Sequence, residues 1–150
     1  MLSGKLIHVI ETHQQEITDR LIRDMNRHPE LNHLRQLPEA ELRERSKNLL
    51  ENLGYWLAEG NEEEIGRKYE GIGKARFDED VPLNESVHAL FLIKEKMIDY
   101  IGEQGFPPDT LELYAEEELE RRVGRFFDLL VLRMIRGYES EWRKALHATA

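Results

Sequence analysis

The chain has 150 residues, a length that fits one domain with a buried core; 40% of them are hydrophobic and 34% are charged. The formal net charge of −9 disfavours binding to nucleic acid, and the absence of cysteine from the sequence excludes disulfides, thiolate metal sites and cysteine nucleophiles. No apolar stretch approaches the ~20 residues of a membrane helix and the N-terminus lacks the pattern of a secretory signal, so we expect a cytoplasmic protein without membrane contact.

Apolar residues recur at helical spacing along almost the whole chain, which predicts an all-α fold in one unit, residues 1–150. The first predicted helix runs from about Leu2 to Met25. It ends before Pro29, because the residue preceding a proline is pushed out of helical geometry.

The middle of the chain predicts two further helices. One begins near Pro38 and ends at Gly60. The next follows Asn61, where Glu64 could complete a capping box. The stretch Gly71 to Asp80 combines glycines and acids, and it predicts a turn.

The fourth predicted helix follows Pro82 and covers about Leu83 to Gly102, and a firm break is predicted at Gly105, Pro107 and Pro108. The last helix is capped by Asp109 or Thr110 and extends to about His147. At about 1.5 Å per residue it would exceed 50 Å, which is longer than a compact domain of this size. Part of it should therefore project or pack against another subunit.

The segment from Phe126 to Ile135 is apolar nearly all round, and such a helix must be covered on every side. We therefore predict a homodimer with an interface formed by Phe127, Val131, Ile135 and Trp142. The more polar part after Ile135 is expected to lie outside the core.

Several side chains could line a pocket if the aromatic core is hollow, namely His13, Trp56, Tyr69, His88 and Phe91. His13, within an apolar stripe, is either a ligand or pH-sensing group or a partly buried histidine satisfied by one hydrogen bond. His88 is either an axial haem ligand or a histidine at the surface or pocket rim. We expect a filled core and no cofactor.

Motifs for catalysis and for metal binding are not recognisable in the sequence. It contains no HExxH and no paired Glu-x-x-His motif, so no metal site is predicted. The acidic runs 62–64, 78–80 and 116–118 are expected to be solvated helix surface. No serine lies in a nucleophile elbow, and we do not expect an enzyme.

Three segments of the chain carry a family resemblance: 56–60 (WLAEG), 69–76 (YEGIGKAR) and 81–90 (VPLNESVHAL). The most specific part is the pattern G-x-G/A-x-x-R followed by V-P-L-x-E. These segments resemble the N-terminal sensor domain of the RsbR/RsbRD stressosome proteins, and similar domains precede some sensor histidine kinases. The resemblance extends loosely from about Ile17 to Trp142.

The resemblance implies a globin-like helical bundle that binds no haem, dimerises, and passes a stress-response signal through its final helix to a downstream domain. The sequence ends at Ala150, so we expect that downstream domain either on a longer protein or on a partner in trans. The alternative function is a helical domain that binds haem or a small hydrophobic molecule.

Overall fold

The computed structural model describes residues 3–104 and 110–149, and within these ranges it contains helices and no strand. The helices are α1 (Gly4–Thr12), α2 (Gln14–Met25), α3 (Glu39–Glu51), α4 (Leu53–Leu57), α5 (Glu62–Asp78), α6 (Leu83–Glu103) and α7 (Thr110–Thr149). Two 3-10 turns, Pro29–Leu31 and Leu34–Gln36, connect α2 to α3. The expected all-α fold with a long last helix is confirmed.

The first predicted helix is in fact two helices, because the chain bends at His13. The His13 imidazole Nδ1 donates to the carbonyl of Val9 at 2.8 Å, and the Thr12 hydroxyl donates to the carbonyl of His8 at 3.0 Å. Side chains that bond nearby carbonyls compete with the helical pattern, and such positions favour a break.

The second predicted helix also divides, at Asn52, whose backbone angles (φ −112°, ψ 25°) are close to those of His13 (φ −111°, ψ 24°). The Asn52 side-chain amide donates to the carbonyl of Asn48 at 3.2 Å. The two bends are joined, because the Glu11 carboxylate accepts the backbone N–H of Gly54 at 2.9 Å.

Helix α5 is continuous through the stretch in which the sequence predicted a turn from Gly71 to Asp80. The predicted turn is therefore wrong for residues 71–78, which are helical, and the chain leaves the helix only after Asp78. The predicted capping box is also absent, because the Asn61 side chain makes no cap hydrogen bond and instead donates to the carbonyl of Tyr55 at 2.7 Å.

Helix α7 has 40 residues and is therefore about 60 Å long. Its buried face supplies the centre of the main core, and the small second core lies between α2, the 3-10 turns and α6. From Trp142 to Ala148 every residue is exposed, so this end leaves the bundle. The predicted break at Gly105, Pro107 and Pro108 and the cap at Asp109 lie outside the described residues.

Helices α5 and α7 pack backbone against backbone through glycines. A Cβ built on Gly73 would overlap the carbonyl oxygen of Met134, and one built on Gly137 would overlap the carbonyl oxygen of Glu70. Two turns nearer the start of α5, the Arg133 side chain lies across Gly66, where an added Cβ would be 2.7 Å from its Nε. Only glycine permits this close approach of the two helices.

Replacing Gly73 with alanine should lower the free energy of unfolding by about 2 kcal/mol or more, because the helices must separate to admit the methyl group. Gly71→Ala is the matched control, since no atom lies within 4 Å of its added Cβ. It should stabilise the helix by roughly 0.5–1 kcal/mol. Urea denaturation measures both, and equal effects would contradict the close packing described for α5 and α7.

Candidate functional site

The turn between α5 and α6 brings together the residues of the V-P-L-x-E pattern. The N–H of Val81 donates to the carbonyl of Arg76 and the N–H of Asp80 to that of Phe77, each at 3.0 Å. Asp80 has a φ of 61°, the left-handed geometry that ends many helices. Pro82 then precedes the first residue of α6.

Glu85 joins α6 to the second 3-10 turn. Its carboxylate is buried and accepts the backbone N–H groups of His33 at 2.9 Å and of Leu34 at 3.1 Å. Its other oxygen accepts a hydrogen bond from Nδ1 of His33 at 2.7 Å. A buried carboxylate is tolerated when it is paired in this way, so Glu85 holds the connection between α2 and α3 in place.

Tyr138 joins the same turn to α7. Its hydroxyl donates to the carbonyl of Val81 at 2.9 Å, and it therefore accepts the hydrogen bond from the Ser86 hydroxyl at 2.7 Å. Burial raises the pKa of the Tyr138 phenol above its usual value. The phenol therefore stays protonated and can serve as donor and acceptor at once.

Arg76 joins α5 to α3. Its guanidinium is buried, and Nη1 lies 2.8 Å from Glu41 and 3.0 Å from Glu79. We call Arg76, Val81, Glu85, Ser86 and Tyr138 the joint. Through these residues, α3, α5, α6, α7 and the α2–α3 connection are in contact with one another.

A cavity of about 60 Å³ borders the joint and is lined in part by Tyr69, Arg76, Ser86 and Met134. Burial raises the pKa of the Tyr69 phenol. Pockets for drug-sized ligands usually have about 300 Å³ or more. The cavity is therefore too small for a ligand of that size.

The other predicted pocket residues do not converge on this cavity. His13 is exposed at the end of α1, and Phe91 is exposed on α6. Trp56 is partly buried and donates from Nε1 to the carbonyl of Asn48 at 3.2 Å. His88 lies beside His28, and their ring centroids are 5.3 Å apart.

The residues predicted for a dimer interface are divided between core and surface. Phe127 is only 1% exposed, so it belongs to the core of its own chain and is not available to a partner. Val131 and Ile135 are partly buried, whereas Trp142 is 58% exposed. Leu132, which the sequence analysis did not single out, is 63% exposed.

The expected end of the core at Ile135 is also wrong. Gly137 packs against Glu70 and Tyr138 is buried in the joint, so the core includes at least one further turn of α7. Sequence could not locate this limit, because neither a glycine nor a tyrosine in a helix indicates by itself whether the position is buried.

No helix among the described residues is long and apolar enough to cross a membrane. A model of one protein family, described as the RsbT co-antagonist protein rsbRD N-terminal domain, matches residues 15–150. The matched region contains the whole joint and all of α7. In the same comparisons, neither a curated protein nor a solved structure matches the chain.

Replacing Tyr138 with phenylalanine should destabilise the protein by about 1–2 kcal/mol, because the buried carbonyl of Val81 loses its donor. Tyr114→Phe, on an exposed part of α7, is the control and should leave stability unchanged. The two variants are compared by urea denaturation. If both are as stable as the unchanged chain, Tyr138 does not hold α7 at the joint.

Proposed function

The chain belongs to the RsbT co-antagonist protein rsbRD N-terminal domain family, and we propose that it is a non-enzymatic sensory domain that dimerises through α7 and relays a stress-response signal along this helix. The receiver is a downstream signalling domain or protein. We further propose a cytoplasmic location, which the family and the cysteine-free sequence support.

The main support for this proposal is that α7 passes through the core of the bundle and ends in an exposed segment. Its middle part is fixed in the core by Phe127, Leu130 and Met134, and Tyr138 ties it to the joint. Its last residues, from Trp142 onward, are exposed. A movement of α7 at the joint would thus be carried by a rigid element to a surface that a partner can reach.

The surface of α7 supports the dimer. Leu132, Trp142 and Leu146 are 63%, 58% and 54% exposed. With about 100° per residue, these three and Ile135 fall within an arc of about 80° on one side of the helix. An apolar stripe of this kind suits a two-fold pairing in which the same face of both copies meets.

The non-enzymatic part of the proposal is supported by the buried hydroxyl groups, which are engaged in structural contacts. Thr18 is bonded to Ser46 at 2.7 Å, Ser86 to Tyr138 at 2.7 Å, and Ser3 to Glu118 at 2.6 Å. None of these three pairs includes the histidine that would activate a serine nucleophile.

Light scattering at micromolar concentration should report a dimer for the unchanged chain and a monomer for Leu132→Glu, because a carboxylate within the stripe would be desolvated on pairing. Phe91→Glu, an equally severe change on the exposed side of α6, should remain dimeric. A monomeric unchanged chain, or a dimeric Leu132→Glu variant, would refute the proposed interface.

Two truncations test whether the end of α7 serves output or stability. A chain that stops after Glu141 keeps Gly137 and Tyr138, and its monomer should lose less than about 1 kcal/mol of stability while dimerisation weakens. A chain that stops after Ile135 loses both residues and should be destabilised by several kcal/mol. If the shorter truncation at Glu141 unfolds the domain, the exposed end is part of the fold and the relay proposal is wrong.

A further inference from the structure

Two histidines and a glutamate that are distant in sequence meet on the surface near the small second core. They are His28, which follows α2, Glu30 in the first 3-10 turn, and His88 on α6. One possible ligand atom from each lies within 4.8 Å of the others. The rings of His28 and His88 meet edge to face, with an angle of 71° between their planes.

The backbone around these three residues is well anchored. His28 has an extended conformation (φ −98°, ψ 105°), which the following Pro29 favours. Leu31, one residue after Glu30, is fully buried, and Leu92, one turn after His88, is buried in the same small core. The packing of these buried neighbours therefore holds the backbone positions from which the three side chains meet.

Two carboxylates lie against the imidazole ring of His28. The Glu30 carboxylate lies 2.8 Å from Nδ1 of His28, and Asp24 lies 3.6 Å from its Nε2. Lys96, 3.0 Å from Asp24, neutralises only one of these two carboxylates.

We propose that His28, Glu30 and His88 form a binding site for a divalent transition metal ion, Zn²⁺ in the first instance. Imidazole nitrogen and carboxylate oxygen are ordinary zinc ligands at about 2.0–2.2 Å, so the ligand atoms of a tetrahedral site lie roughly 3.4 Å apart. All three side chains are at least partly exposed, and small rotations bring them from their present spacing to that distance. A fourth position remains open to water.

The position of this site gives it a regulatory consequence. His88 lies three residues after Glu85 on α6, and His28 and Glu30 precede the backbone N–H groups that Glu85 accepts. A bound ion would link the α2–α3 connection to α6 a second time. Metal binding should therefore stiffen the same contact through which the joint reaches α2 and α3.

The test uses the full, tag-free chain after treatment with chelator, titrated with Zn²⁺ in a calorimeter. One ion should bind per chain, and His88→Ala should weaken the affinity more than about 10-fold. His8→Ala, which removes an exposed histidine from α1, is the matched control and should bind as the unchanged chain does. Absence of binding, or equal affinity of the two variants, would overturn the proposal.

Thermal unfolding separates a defined site from adventitious binding and from loss of folding. Zn²⁺ should raise the midpoint of the unchanged chain and of His8→Ala, since an ion that binds only the folded state stabilises it. It should leave His28→Ala and His88→Ala unshifted, although both should fold without metal because these side chains are partly exposed. An equal shift in all variants would show non-specific binding and refute the site.

Discussion

The contact between the backbones of α5 and α7 is the constraint on which the rest of the structure depends. Gly73 and Gly137 allow the carbonyl groups of Met134 and Glu70 to lie where side chains would otherwise be. At this short distance, Arg133 spans α5 and pairs with Glu63 and, at 2.8 Å, with Glu70. Helix α7 therefore has one register against α5, and this register brings Tyr138 to the turn that precedes α6.

With α7 in this register, the residues of the joint contact the remaining helices. Tyr138 meets Val81 and Ser86, Glu85 reaches the second 3-10 turn, and Arg76 reaches Glu41 on α3. Each residue of the G-x-G-x-x-R and V-P-L-x-E patterns that is buried here has a structural partner. The patterns thus describe how the last helix is connected to the bundle, which fits a family whose role is signalling.

Sequence alone predicted the features that depend on local chemistry, such as the start of α6 after Pro82 and the length of α7. It failed where contacts between distant parts of the chain determine the conformation or the burial of a residue. Gly73 indicated a turn, but it lies within α5, where the missing side chain lets α7 approach. Phe127 indicated a partner, but the protein's own core covers it. His28 and His88 lie on separate elements, and no local pattern could show that the fold brings them together.

Distance measurement between spin labels on α7 tests the central claim, that two copies pair along the exposed side of this helix. The sequence contains no cysteine, so a single cysteine at Arg143 gives one label per chain. Paired helices have axes about 10 Å apart, so the account predicts a narrow distribution of distances between the two labels at roughly 30 Å or less. Labels that show no dipolar coupling at concentrations where the chain is a dimer would contradict the account.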